Sequence, residues 1–242
     1  MLLLIYCIFT SYLIVYRLKQ NKGALYMIIL IGGQKGGCGK TNIATNLSAY
    51  LVQEKNIDLI LIDTDKTQNS SGKWAKRRQL QKDSVNVNSV HISDNVAEEV
   101  RDLDKRYELV IIDSGGRDSI EFRTALCVAD ICIIPFSPSQ HDIDTLPLVN
   151  DLIEQSKIIN PKLKAWAMFS NCPQNKGARE KRIKEIKGFV FDDLEQIELL
   201  ETVIVNRIAY TDTASSGLGV TEGEDKTASN EIKQLAKEVL KW

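Results

Sequence analysis

The 242-residue chain sets 31 Lys and Arg against 32 Asp and Glu, a formal net charge of −1, with 43% hydrophobic and 26% charged residues. That balance excludes a disordered chain and an overall basic nucleic-acid binder, and the length suits one substantial core in one domain. The five cysteines, Cys7, Cys38, Cys127, Cys132 and Cys172, are scattered and form no CxxC pair, which argues against a disulfide framework, a zinc site or an iron–sulfur centre and points to a reduced compartment.

The chain opens on MLLLIYCIFTSYLIVY, followed by RLKQNK. As a helix, residues 1–16 would rise about 24 Å, short of the roughly 30 Å hydrocarbon core of a bilayer. The segment also lacks the basic lead-in and small-residue cleavage site of a secretory signal. Met27 begins the first core strand, so residues 1–26 read as an upstream extension from a misassigned start, ahead of the alternative of a short membrane anchor.

MIILI predicts a buried strand over 27–32, and NIATNLSAYLVQE a helix over 41–54. Between them lies GGQKGGCGKTN, residues 32–42. Gly39, Lys40 and Thr41 meet the phosphate-loop pattern, while Gln34 stands where the first glycine belongs. Glycines let such a backbone curl so that its N–H groups face phosphate oxygens, and the helix start adds its positive dipole end. The cradle so formed comprises Gly36, Gly37, Cys38, Gly39, Lys40, Thr41 and Asn42. Lys40 would neutralise the β- and γ-phosphates, and the Thr41 hydroxyl would ligate Mg²⁺. Lys35 is one cation more than the cradle needs: either a solvated loop lysine or a second charge aimed at phosphate.

Predicted strands over 57–63 and 107–113 each close on aspartate, in IDLILIDTD and YELVIIDSGG. Parallel strands deliver such side chains to the carboxyl edge of a sheet. Asp113 suits holding Mg²⁺ through a bound water, and Gly115 and Gly116 leave the next loop free to move with the γ-phosphate. Asp63 can serve the same metal shell, and Asp65 is placed to orient the attacking water. A strand-closing aspartate is often only a helix cap or turn former. Three on two strands beside a phosphate loop point instead to a working nucleotide-hydrolase site.

Further strands are predicted over 87–91, 130–136, 163–170 and 202–206, with helices over 70–82, 94–105, 118–129, 140–159, 177–198 and 226–240. The alternation predicts an α/β, three-layer P-loop NTPase fold, a mostly parallel twisted sheet with helices on both faces. Two stretches are strongly basic, KWAKRRQLQK and KGAREKRIKEIK. A charge run is usually a solvated helix face, but the second, with Lys176, Arg179, Lys181, Arg182, Lys184 and Lys187, is the better candidate for sequence-independent contact with DNA phosphates. Arg207 is grouped with that surface. His91 and His141 have no partner spacing and read as structural.

These segments together resemble the ParA-type partition ATPases, of the small form without an N-terminal DNA-reading domain, over about residues 27–242. The resemblance rests on QKGGCGKT as a deviant Walker A loop, LIDTDKTQ as switch I, LVIIDSGGRDS as Walker B and switch II, then ADICIIPFSPS and GVTEGEDKTASNEIKQLAKEV. It implies one ATPase domain over 27–242, with ATP and Mg²⁺ as cofactors. It implies that Lys35 reaches across a two-fold interface to the partner subunit's ATP, so that an ATP-dependent homodimer forms. It implies that Asn171, after KAWAMFSN, contacts adenine, and that the dimer binds DNA non-specifically and is released when a centromere-binding adaptor protein stimulates hydrolysis. A cytoplasmic, nucleoid-associated protein is then expected, with no membrane role.

One departure stands out. The family's switch I reads Asp-x-Asp-Pro-Gln, whereas Lys66, Thr67 and Gln68 follow Asp65 here, so Asp63 and Asp65 carry over and Gln68 does not. Alternatives are a MinD-like membrane-positioning ATPase, which would want a basic amphipathic C-terminal tail, a small-molecule synthetase, for which no second set of binding residues is evident, and a nucleotide-gated scaffold with little hydrolysis.

Overall fold

The computed structural model describes residues 26–116 and 118–241; the expectations for residues 1–25 fall outside them. In chain order the strands are β1 (Met27–Ile31), β2 (Leu59–Asp63), β3 (Asn88–His91), β4 (Leu109–Asp113), β5 (Ile131–Phe136), β6 (Lys164–Phe169) and β7 (Glu198–Leu199). They form one sheet in the order β3-β2-β4-β1-β5-β6-β7, each pair parallel. The helices are α1 (Lys40–Lys55), α2 (Ser70–Arg78), α3 (Ala97–Asp104), α4 (Ile120–Leu126), α5 (Gln140–Ile143), α6 (Leu146–Lys157), α7 (Lys176–Val190), α8 (Ile208–Ser216) and α9 (Lys226–Leu240).

Because side chains alternate across a strand, the apolar runs divide between two cores. Ile29 and Ile31 of β1 and Leu109 and Ile111 of β4 face α1, α2 and α9. Ile28, Leu30, Val110 and Ile112 face α3, α4 and α6. This is why the central strands are continuously hydrophobic. It also fixes the expected three-layer P-loop NTPase fold. β3, at one edge, is short and exposed along its length, as an edge strand must be if it is not to recruit further strands.

The register brings the chemistry to one end. Ile31 pairs with Asp113, and Asp113 with Asp63, so the loop after β1 and both strand-closing aspartates meet at the carboxyl edge. There the order reverses, with β4 on one side of β1 and β5 on the other, which is where α/β sheets bind ligands.

Several boundaries differ from expectation. The helix expected over 140–159 breaks into α5 and α6, because Pro147 opens the second and the residues before a proline resist helical geometry. The helix expected over 177–198 ends at Val190, and Glu198–Leu199 instead joins the sheet beside β6. Of the strand expected over 202–206, only the bridge between Cys172 and Val205 forms. Helix α8 is not expected from local sequence: IAYTDTASS is rich in β-branched and hydroxyl residues, poor helix formers, and only burial of Tyr210 and the left-handed cap at Gly217 establish it.

Candidate functional site

The loop from Gly32 to Gly39 joins β1 to α1. Gly37 and Gly39 have φ of 78° and 93°, left-handed values that glycine adopts without strain. A Cβ on Gly39 would also strike Ser170 Oγ at 2.6 Å. This curl opens a cleft of about 760 Å³ floored by Gly36, Gly37, Lys40 and Thr41 and walled by Asp65, Asp113 and Gly115. Lys40 is buried, its Nζ donating to the Lys35 carbonyl and lying 3.7 Å from Cys38 Sγ. Lys35 itself is exposed at the lip. The two lysines are thus held differently: one inside the cradle, the other facing outward.

The three aspartates also part company. Asp113 is 3% exposed, and its Oδ1 has no hydrogen-bond partner among the described residues. Burial and the nearby charge of Asp63 push its carboxyl up to about 7, against the lowering effect of the Thr41 and Ser71 hydroxyls and Lys40. A buried, unpartnered oxygen beside Thr41 fits a site for a hydrated divalent cation, for which Thr41 and Asp113 are the residues to hand. Asp63 is engaged elsewhere. Its Oδ2 accepts from Ser71 N–H at 2.9 Å, Ser71 Oγ at 2.7 Å and Gly72 N–H at 3.2 Å, and its Oδ1 from Asp65 N–H at 2.9 Å. These bonds satisfy donors in the first turn of α2. His91 lies 4.0 Å from the same Oδ1, consistent with a structural histidine.

Asp65 presents one oxygen to the protein and one to the cleft. Oδ1 accepts from Thr67 N–H at 2.8 Å, Thr67 Oγ1 at 2.7 Å and Gln68 N–H at 3.1 Å. Oδ2 lies 3.7 Å from where a Cβ on Gly115 would stand, with Asp65 Cβ and Cγ at 3.8 Å. Burial would raise this carboxyl, but the bonds from Thr67 and Gln68 and the charge of Lys40 hold it below the usual range. It is therefore an anion suited to accepting a hydrogen bond from water.

A second recess of about 410 Å³ continues past Gly37, Gly39 and Thr41 to Asn171, Asn206, Arg207 and Tyr210. Asn171 sits at its rim with φ 52°, so it both ends the strand and lines the recess. Arg207 also lines it, donating to Glu231 Oε1 at 3.0 and 3.1 Å. That ion pair takes up the charge that sequence alone groups with the basic helix. Asn206, Tyr210 and Trp74 escape a reading of the sequence, since no local pattern marks residues that meet only through the fold.

On α7, Lys176, Lys181 and Lys184 are exposed. Lys176 lies 3.8 Å from Glu180, Arg182 pairs with Glu185 and the Pro138 carbonyl, Lys187 pairs with Glu201, and Arg179 donates to the carbonyls of Pro173 and Gln174. In the other basic stretch, Arg78 is wholly buried, its guanidinium on Glu222 at 2.7 and 2.9 Å.

The apolar face of α9, including Ile232, Leu235 and Val239, is buried in the core, so this helix docks on the sheet layer. Among the described residues no helix is long and apolar enough to cross a membrane.

The family described as the CobQ/CobB/MinD/ParA nucleotide binding domain matches residues 29–228. The maintenance of carboxysome distribution protein A of Halothiobacillus neapolitanus is 26% identical over 218 residues, covering 88% of this chain and 95% of its own. Protein ParA of Rhizobium radiobacter is 24% identical over 185 residues, covering 76% and 80%. Among solved structures, the septum site-determining protein MinD of Pyrococcus horikoshii, complexed with Mg-ADP, superposes with a TM-score of 0.66 at 19% identity, covering 88% of this chain and 95% of that one.

Proposed function

Since the chain belongs to the CobQ/CobB/MinD/ParA nucleotide-binding family, we propose that it is a Mg²⁺-dependent ATPase that dimerises on ATP, binds DNA non-specifically, and partitions a plasmid or chromosome with a centromere-binding adaptor. The observation that carries the ATPase reading is the buried Asp113 Oδ1, without a hydrogen-bond partner among the described residues, in a cleft lined by Lys40, Thr41 and Asp65. Mg²⁺ supplies charge neutralisation on the phosphates when bound. Lys40 neutralises phosphate oxygens, Thr41 and Asp113 hold the metal and its water, and Asp65 Oδ2 orients the attacking water. Turnover is slow until a partner completes the charge around the transition state.

The DNA reading rests on exposed Lys176, Lys181 and Lys184 on one helix, together with the family resemblance. With Arg207 held by Glu231, contact with phosphate falls chiefly to α7. The carboxysome-distribution relative broadens the cargo class beyond replicons; whichever cargo applies, an adaptor would couple it to the DNA-bound dimer. A membrane role draws no support from α9, whose apolar face is in the core.

The test is retention on non-specific duplex DNA with and without ATP across a salt series. Retention that needs ATP and falls steeply with salt supports the proposal. Binding to anionic liposomes by residues 27–242, without ATP-dependent DNA retention, would overturn it in favour of membrane positioning.

A further inference from the structure

Lys66 follows Asp65 directly and occupies the same cleft wall. Its Nζ lies 2.9 Å from Glu121 Oε1 and 2.6 Å from Asp94 Oδ1. Asp94 N–H donates to Glu121 Oε1 at 2.8 Å, so a single carboxylate oxygen gathers the loops after β2 and β3. Lys66 and Asp94 come from two loops at the carboxyl edge, and Glu121 from the first turn of α4, just beyond Gly115 and Gly116.

An exposed lysine on an exposed carboxylate contributes little. Here one acceptor is different: the Glu121 side chain is only 7% exposed while Lys66 is 50% exposed. Burial would raise the Glu121 carboxyl, yet Lys66, the N–H groups of Glu121 and Asp94 and the Ser119 hydroxyl bring it down to about 2. Removing the lysine leaves the Glu121 charge without its cation, a costly state for a side chain so little exposed.

The turn around Lys66 gives that loss a consequence. Asp65 Oδ1 is tied to Thr67 and Gln68, so residues 65–68 form a bracket with Lys66 at its tip. Through Lys66 the bracket is anchored on Glu121 and Asp94, and Asp65, its first residue, stands against Gly115.

We propose that Lys66 is a positioning residue: clasped to Glu121 and Asp94, it holds the Asp65 carboxylate over the phosphate cleft and ties that loop to the Gly115–Gly116 segment. The effect on turnover rests on the ATPase reading above; the clasp itself does not.

The test compares the parent with Lys66→Met, Lys66→Arg, Glu121→Gln and the Lys66→Met, Glu121→Gln double variant. Hydrogen exchange at residues 65–69 is measured without nucleotide, and ATP turnover at limiting and saturating ATP. Lys66→Met is expected to speed exchange at Thr67 and Gln68 and to lower kcat roughly tenfold, with KM changed less than about twofold. Lys66→Arg restores both readings, and the double variant is no worse than the poorer single one. Parental exchange in Lys66→Met overturns the proposal, as do losses that simply add. A raised KM with unchanged kcat also overturns it, making Lys66 a phosphate-binding cation. If the parent itself does not turn over ATP, the ATPase reading fails alone and the exchange comparison decides the clasp.

Discussion

Gly116 packs backbone to backbone on Gly36: a Cβ added at Gly116 would lie 2.9 Å from both N and Cα of Gly36, whereas one added at Gly36 would meet nothing within 4 Å. The loop after β4 therefore rests on the phosphate loop with no room for a methyl group. Gly116→Ala is expected to destabilise the protein by about 1–3 kcal/mol and to weaken ATP binding, while Gly36→Ala leaves thermal stability nearly parental. Thermal unfolding and titration with a fluorescent ATP analogue check both.

The two loop lysines predict separable defects. Lys40 is buried beneath the cradle and Lys35 is exposed at its lip. Lys40→Ala should abolish nucleotide binding. Lys35→Ala should retain much of it but lose the ATP-dependent dimer, as read by light scattering after size exclusion. An ATP dimer of Lys35→Ala equal to the parent's would remove the cross-dimer role. Asp65→Ala, by contrast, should bind ATP and DNA and fail to turn over.

Asp113 sets a pH dependence. Its carboxyl is raised from 3.8 to about 7 by burial and by Asp63. Protonation therefore favours the nucleotide-free fold: this contribution is complete below about pH 4 and is lost as pH rises through about 7. A cation bound beside Asp113 favours the ionised form instead. The rise in Tm produced by Mg²⁺ with nucleotide should therefore grow between about pH 6 and pH 8, and Asp113→Asn should flatten the trend.

Arg78 joins α2 to the segment before α9. Its side chain is 0% exposed and donates to Glu222, to the Val85 carbonyl at 2.7 Å and to the Gly217 carbonyl at 3.2 Å. Removing one partner leaves the other charge buried, so Arg78→Met or Glu222→Gln is expected to cost about 3–5 kcal/mol. Urea unfolding of both singles and the double would show the coupling as non-additivity.

For DNA, the exposed pair Lys181 and Lys184 gives a graded expectation. Replacing both with alanine should reduce the slope of log affinity against log salt by about 2, roughly one for each phosphate no longer neutralised. A slope equal to the parent's would move the DNA surface off α7.

Much of the site is legible in the sequence because its signals are local. Glycine spacing, a lysine and a threonine at a helix start, and aspartates closing apolar strands each reflect a requirement that neighbouring residues meet alone. The edges of the fold are less legible. Glu198–Leu199 joins the sheet only because β6 lies beside it, and α8 forms around the burial of Tyr210 against propensity.

Charge is the least legible property. KWAKRRQLQK reads as a basic stretch, yet Arg78 turns inward to Glu222, 144 residues away in sequence. Arg207 pairs with Glu231, Asp63 holds the start of α2, and Lys66 pairs with Glu121 in the first turn of α4. From sequence alone follow the parallel α/β layering, the glycine curl before α1 and the aspartates that close β2 and β4, because hydrophobic period and glycine spacing act over a few residues. Only the tertiary structure decided what each charged group faces, because a charge leaving water takes whatever partner the packing of distant elements brings within hydrogen-bond reach.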